Sequence, residues 1–216
     1  MTDKIELSLP AKAYLLACRG DRLPDRQRVG YLVRAAALTD LLLRGRVADH
    51  DGVAGAVPGG STGDAVLDEV LGQVVESDPR KWRHWVRKDY RRALDSVEEQ
   101  LSEAHLIRVE RSRFFGRRRI TLRNTALVRD LHATVDKALR GDAPVSRVPR
   151  EDAALVALVA AVELKGVVSG RDRRRCKARL RELEERGGAA IPALRKVFRE
   201  LRQVRAAAAS GGDGGG

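Results

Sequence analysis

The sequence is poor in aromatic residues and almost without cysteine and methionine. It carries two Trp, three Tyr, three Phe, two Cys and one Met in 216 residues. Cys18 and Cys176 lie far apart, so they supply neither a four-ligand zinc site nor the framework of a disulfide scaffold. Cys18 stands in the apolar run AYLLACR and reads as a small buried residue. The four histidines, His50, His84, His105 and His132, have no ligand spacing with each other or with the cysteines, so no metal or cofactor is expected. No run reaches the roughly 18 apolar residues of a membrane span. The opening MTDKIELSLPAK lacks the apolar core of a signal peptide. A cytoplasmic protein that meets membranes only from the surface is expected.

No catalytic signature is visible: the chain has no G-x-S-x-G, P-loop, G-x-G-x-x-G or HExxH. Asp64, Asp68 and Glu69 in TGDAVLDEV form an acidic cluster at the start of a helix, where helix-end charge and ion pairing explain it better than acid–base work. His50, between Asp49 and Asp51, reads as an exposed turn residue. No catalytic residue is assigned and the protein is expected not to be an enzyme.

What is abundant is positive charge. Lys and Arg number 42 against 30 Asp and Glu, for a formal net charge of +12. An excess of that size draws a protein to polyanions: nucleic acid, an anionic membrane or an acidic protein. The apolar residues are mainly Leu, Ala and Val and recur at helical spacing. They predict a mainly α, compact single domain over residues 1–206, with short β-hairpins, one of them protruding, and a disordered Gly-rich tail at 207–216.

Ser8 and Pro10 predict the start of a helix running to about Cys18. A largely buried central helix is expected from Arg26 to Leu43, stopped by Gly45. Asp51-Gly52 predicts a short hairpin, and Ser61 or Thr62 the cap of the next helix. From Pro79 one long helix is expected, basic in its first half and acidic in its second, with Trp82 and Trp85 on one face. That polarity opposes the helix dipole, which calls for a functional reason or for tertiary partners. Two strands follow, around Ile107 and Val109 and around Ile120 and Leu122, with Gly116 at their turn. The remainder reads as helices.

Three basic elements stand out: the helix around Arg83–Arg92, the hairpin, and Gly170–Arg181. At the hairpin tip, RFFGRRRI places Phe114 and Phe115 beside Arg117 and Arg118. Such a tip suits a membrane interface, with rings to insert and arginines for headgroup phosphates; the alternative is that the rings pack on the hairpin's own body or on a second copy. Arg34, in the middle of the most apolar helix, needs an anion: a bound phosphate or a distant carboxylate. Asp40, six residues on, is not a natural helical partner for it.

ALTDLLLRGRVA, then TGDAVLDEVL, then EEQLSEAHLIRVERSRFFGRRRITL resemble the Golgi phosphoprotein 3 family, its bacterial members included. The resemblance extends from Leu7 to about Arg205. It implies a helical domain with a protruding hairpin. It also implies a basic pocket that in eukaryotic members binds phosphatidylinositol 4-phosphate on the Golgi's cytosolic face, in proteins that act as adaptors for membrane enzymes. By this resemblance Arg34 and Arg91 are the lipid-phosphate residues, with Arg87 or Arg92 as substitutes for an arginine position that Leu94 occupies here. Asp25 stands where the family's pocket has a tryptophan. The hairpin Ile107–Leu122 would serve membrane attachment or homo-oligomerisation, and protein clients are expected. Two alternatives stay open on the residues themselves. One is a nucleic-acid-binding, winged-helix-like protein; the other is a self-associating interaction protein.

Overall fold

The computed structural model describes residues 6–111 and 118–210. The expected hairpin tip, with Phe114, Phe115 and Arg117, lies outside the described residues.

Helix α1 (Leu9–Ala17) is buried along nearly its whole length. Ser8 stands at its N-cap with Pro10 in the first turn, as expected, but the Ser8 hydroxyl makes no capping bond. The cap comes from elsewhere: the Leu9 amide donates to Asp40 Oδ2 at 2.7 Å. Asp40 belongs to α2 (Arg26–Leu43) and its other oxygen accepts from Arg44 Nε at 2.6 Å. One carboxylate thus joins the start of α1 to the end of α2. The central helix α2 is buried from Val29 to Leu41 and packs against α1, as the apolar run demands. Its apolar residues enter a continuous core with those of α7 (Arg150–Ala161).

Strands β1 (Val47–His50) and β2 (Val53–Ala56) form the expected hairpin. Both turn residues have positive φ, 53° at Asp51 and 83° at Gly52. That is the backbone an Asp-Gly pair readily adopts and the one that matches strand twist. Helix α3 (Ala65–Val75) is capped by Asp64, whose carboxylate accepts from the Leu67 amide at 2.9 Å. Ser61 and Thr62 do not cap it; the Ser61 hydroxyl and the Thr62 amide donate to Asp68 instead. Glu69 pairs with Arg92 and accepts from Ser96. All three carboxylates of the acidic cluster therefore serve structure, and His50 is exposed.

The long helix expected from Pro79 is divided. Arg80–Lys81 pair with β2 as a third strand, β3. Helix α4 (Trp82–Arg87) follows, with Trp82 and Trp85 buried, and α5 (Tyr90–Glu103) begins after a corner at Lys88 and Asp89. Asp89 has φ 47°, left-handed backbone that no α-helix continues through. Strands β4 (Ile107–Arg111) and β5 (Arg118–Leu122) then pair antiparallel, with Ile107 opposite Leu122 and Arg111 opposite Arg118.

Helix α6 (Thr125–Arg140) is capped by Asn124, whose side chain accepts from the Leu127 amide. After α7 come α8 (Gly170–Arg175), α9 (Lys177–Gly187) and α10 (Ala190–Ser210). Gly187 lets α9 close on α7: a Cβ there would stand 3.1 Å from the Ala154 Cα. Helix α10 carries on to Ser210, into the stretch expected to be tail, because Ala206–Ala209 are strong helix formers. The fold is mainly α, with two small antiparallel sheets among the described residues.

Candidate functional site

The corner between α4 and α5 sets the site. Trp85 lies in the last turn of α4, where carbonyls lose their helical partners. Arg34 supplies one: its Nε donates to the Trp85 carbonyl at 2.9 Å, and Nη2 donates to Gln73 Oε1 of α3 at 2.7 Å. A cation against a helix C-terminus also suits the helix dipole. Arg34 is fully buried, at 0% exposure. Burial pushes its guanidinium down to about 10, against the pull of the Asp89 and Glu69 charges, so it stays protonated at pH 7. No carboxylate pairs directly with Arg34 among the described residues. Its bonded partners are a helix-end carbonyl and a glutamine, with two carboxylates acting at longer range.

Arg34 is therefore not a wall of a water-facing pocket. Nor do Gly30 and Tyr31 leave room beside it. Tyr90 fills that space, its ring packed on Tyr31 with centroids 4.6 Å apart. A Cβ on Gly30 would meet Tyr90 Cδ2 at 2.5 Å. Glycine is required here for α5 to approach α2.

Arg91, next along α5, faces outward. Its guanidinium lies over the Tyr90 ring, 5.7 Å from the centroid, and Nε donates to the Tyr90 hydroxyl at 3.1 Å. Arg91 has no carboxylate partner among the described residues. It borders a hollow of about 430 Å³ with Arg26, Gln27, Tyr90, Leu94, Asp95 and Arg118. Leu94, 1% exposed, is a buried part of that lining.

The other cations of the hollow are held. Glu98, buried on α5, accepts from the Tyr14 hydroxyl at 3.1 Å, from Arg26 at 2.5 Å and from Arg118 at 2.7 Å. Asp95 accepts from Arg26 at 3.0 Å and from Arg118 at 2.9 Å. Arg118, expected at the membrane-directed tip, opens β5 opposite Arg111 and is instead drawn onto α5. The hairpin is further anchored where the Ile120 amide donates to the Asp21 carbonyl at 2.8 Å and Arg119 pairs with the Asp21 carboxylate. These tertiary partners account for Asp95 and Glu98 in the acidic second half of α5.

Arg87 does not border the hollow. It shares Glu200 of α10 with Arg83. Arg92 is tied to Glu69. Asp25 caps α2 by accepting from the Arg28 amide at 3.0 Å, and pairs with Arg205 of α10 at 2.6 Å. Burial works to raise the Asp25 carboxyl, but the Arg205 and Arg28 contacts outweigh it and hold it below the usual carboxylate range. A carboxylate depressed in the folded state adds stability that is complete above its unfolded pKa, near 4, and lost as pH falls through the lower folded value. Acid titration of thermal stability should therefore show Asp25→Asn flattening the loss below about pH 4. An unchanged acid limb would remove Asp25 from that role.

Of the expected lipid-phosphate residues, only Arg91 is both exposed and bordering the hollow. Sequence reasoning did not find Tyr90, which cradles Arg91, or the carboxylate pair that holds Arg26 and Arg118. The available signal was an aromatic immediately before Arg91 and carboxylates at Asp95 and Glu98 three residues apart.

Residues 9–201 match the family model described as Golgi phosphoprotein 3 (GPP34). No curated protein matches the chain.

Proposed function

Because the chain belongs to the Golgi phosphoprotein 3 family, we propose that it is a peripheral membrane-binding protein that reads an anionic phosphate headgroup with Arg91 at the α4–α5 corner, as an adaptor and not a catalyst. The observation that carries this reading is the state of Arg91. Neighbouring arginines are committed to carboxylates, while Arg91 is exposed, stacked on Tyr90 and free of an acidic partner among the described residues. Its planar fork suits a phosphate oxygen pair. Arg34 acts behind it as a positioning residue: by holding Trp85 it sets the corner from which Tyr90 and Arg91 emerge.

No described helix is long and apolar enough to cross a membrane, so attachment would come from the surface. With Leu94 and Asp25 at two pocket positions, the chain presents one arginine to the ligand where a cluster would be needed to select a headgroup. The reading is therefore of an anionic phosphate surface, with little preference among headgroups. The β4–β5 hairpin is the natural second contact with the membrane or with another copy.

The winged-helix reading fares less well. A recognition helix ahead of the hairpin would be α5, whose exposed side chains include Asp95, Glu99 and Glu103. Carboxylates there repel a phosphate backbone.

Vesicle flotation tests the proposal. Near an anionic bilayer one arginine contributes about 1 kcal/mol, or about fivefold in affinity. Arg91→Ala should lower binding to phosphoinositide vesicles by about fivefold, and to charge-matched phosphatidylserine vesicles by a similar factor. Binding that ignores Arg91, or no binding to either vesicle at moderate salt, defeats the reading.

A further inference from the structure

A second hollow, of about 750 Å³, lies between the end of α7 and helices α8, α9 and α10. Its floor is closed: Leu180 and Phe198 are 8% and 3% exposed and offer a ligand almost no apolar surface. What is open is the rim. It carries Arg173, Lys177, Arg181, Arg195, Arg199 and Arg202, six cations against the carboxylates of Glu163 and Glu184. Both carboxylates are engaged within the site. Glu163 Oε1 accepts from Arg173 and from Arg202, each at 2.7 Å, and Glu184 pairs with Arg195. One oxygen holds two guanidinium groups side by side and leaves their sum positive. Lys177 and Arg199 are exposed and have no acidic partner among the described residues. Arg181 has only Glu185, at 3.7 Å on an open surface, where such a pair contributes little.

The backbone holds Glu163 in place at some cost. Helix α7 ends with the Leu164 amide donating to the Val159 carbonyl and the Glu163 amide to the Ala160 carbonyl, both at 3.0 Å. In that kind of helix end the position of Glu163 is left-handed and usually glycine. Glu163 adopts it, with φ 52°. A side chain there strains the backbone. What this side chain does is gather Arg173 and Arg202.

The cations come from three helices. On α10, Arg195, Arg199 and Arg202 follow i, i+4, i+7 spacing, about 10 Å along the axis. Arg173 of α8 and then Lys177 and Arg181 of α9 supply the rest. A single phosphate would meet only one end of such a rim, whereas several linked phosphoryl groups can reach along it. A concave surface of one sign, set on a low-dielectric floor, focuses its field on a ligand with closely spaced negative charges. Guanidinium forks bond phosphoryl oxygens in pairs. We infer that this hollow binds a small polyanion carrying two or more phosphoryl groups, with Lys177 and Arg199 as its principal contacts. Such groups come free, as a polyphosphate chain or a nucleotide tail, or on a bisphosphorylated lipid headgroup. The site does not depend on the Arg91 surface.

The test is titration calorimetry of the whole protein with tripolyphosphate and with orthophosphate at matched ionic strength. Tripolyphosphate should bind at least about tenfold tighter. Lys177→Gln with Arg199→Gln removes two charge-assisted contacts and should weaken its binding about tenfold. Lys177→Ala with Arg199→Ala repeats the measurement should the glutamine pair disturb folding. Arg91→Ala should leave the affinity unchanged. So should Arg123→Gln with Arg129→Gln, which removes two exposed arginines outside the hollow. Equal affinity for the two anions overturns the proposal. An equal loss from the Arg123 and Arg129 pair, or from Arg91→Ala, means diffuse charge and also overturns it. Vesicles carrying a bisphosphorylated phosphoinositide then separate the sources. Flotation that weakens with Lys177→Gln and Arg199→Gln assigns the lipid headgroup; flotation unchanged while tripolyphosphate binding is lost assigns the free polyanion.

Discussion

Replacing Arg34 by alanine should lower the unfolding free energy by about 3 kcal/mol, a large share of the stability of a domain this size. The cost has two sources. The Trp85 carbonyl loses its charged donor in a site with no access for water, and Gln73 loses its partner. A cavity of most of an arginine side chain is left beside α3 and α4. Urea unfolding followed by tryptophan fluorescence reads this directly, since Trp82 and Trp85, the only tryptophans, are both buried at the affected corner. Arg34→Lys should recover only part of the loss, because an ammonium cannot reach two acceptors with a planar fork. Stability unchanged to within about 0.5 kcal/mol would refute the positioning role. The same variants separate positioning from direct contact. If Arg34 acts through the corner, vesicle binding by the folded fraction of Arg34→Lys should remain nearer to wild type than that of Arg91→Ala.

Glu98→Ala should cost about 3 kcal/mol. Glu98 is 4% exposed and joins Tyr14 of α1, Arg26 of α2 and Arg118 of β5. Removing it leaves a buried hydroxyl without an acceptor and two guanidinium groups sharing Asp95 alone. Arg26 and Arg118 remain partly exposed, so water recovers some of the loss and the figure lies at the lower end for a broken buried pair. The effect should be local as well as global. Hydrogen exchange at the Ile120 amide, which the Asp21 carbonyl holds in the strand that Arg118 ties to α5, should accelerate more than exchange in α7. Uniform acceleration across both would mean that Glu98 contributes only to overall stability. Glu98→Gln keeps a hydrogen-bonding oxygen and should cost less than alanine, with the difference measuring the charge.

Much of the fold was legible because its signals are local. The apolar run of α2 and the Asp51-Gly52 turn each rest on a few consecutive residues and appear where expected. The Pro79 helix misled because its periodicity stays helical throughout, while Arg80–Lys81 are taken as a strand by β2 and the backbone turns extended at Lys88 and left-handed at Asp89. The cap of α1 misled for a related reason. Ser8 is the residue type that caps, yet a carboxylate 31 positions away holds the Leu9 amide.

Functional residues were less legible. Marking Arg34 as a buried charge in need of a partner was sound, but a carbonyl at the end of another helix leaves no trace in composition. Arg87, Arg91 and Arg92 look alike in sequence; Glu200, Tyr90 and Glu69 make them different.

The amino-acid sequence alone determined a helical, positively charged chain, its central buried helix, and the family to which its motifs point. Those properties follow from short-range periodicity, turn chemistry and charge count. Only the tertiary structure decided which arginines are neutralised and which face solvent unpaired. With 42 basic and 30 acidic side chains, very many pairings are compatible with one sequence. Packing selects among them, because each buried charge must find its partner where the helices happen to meet.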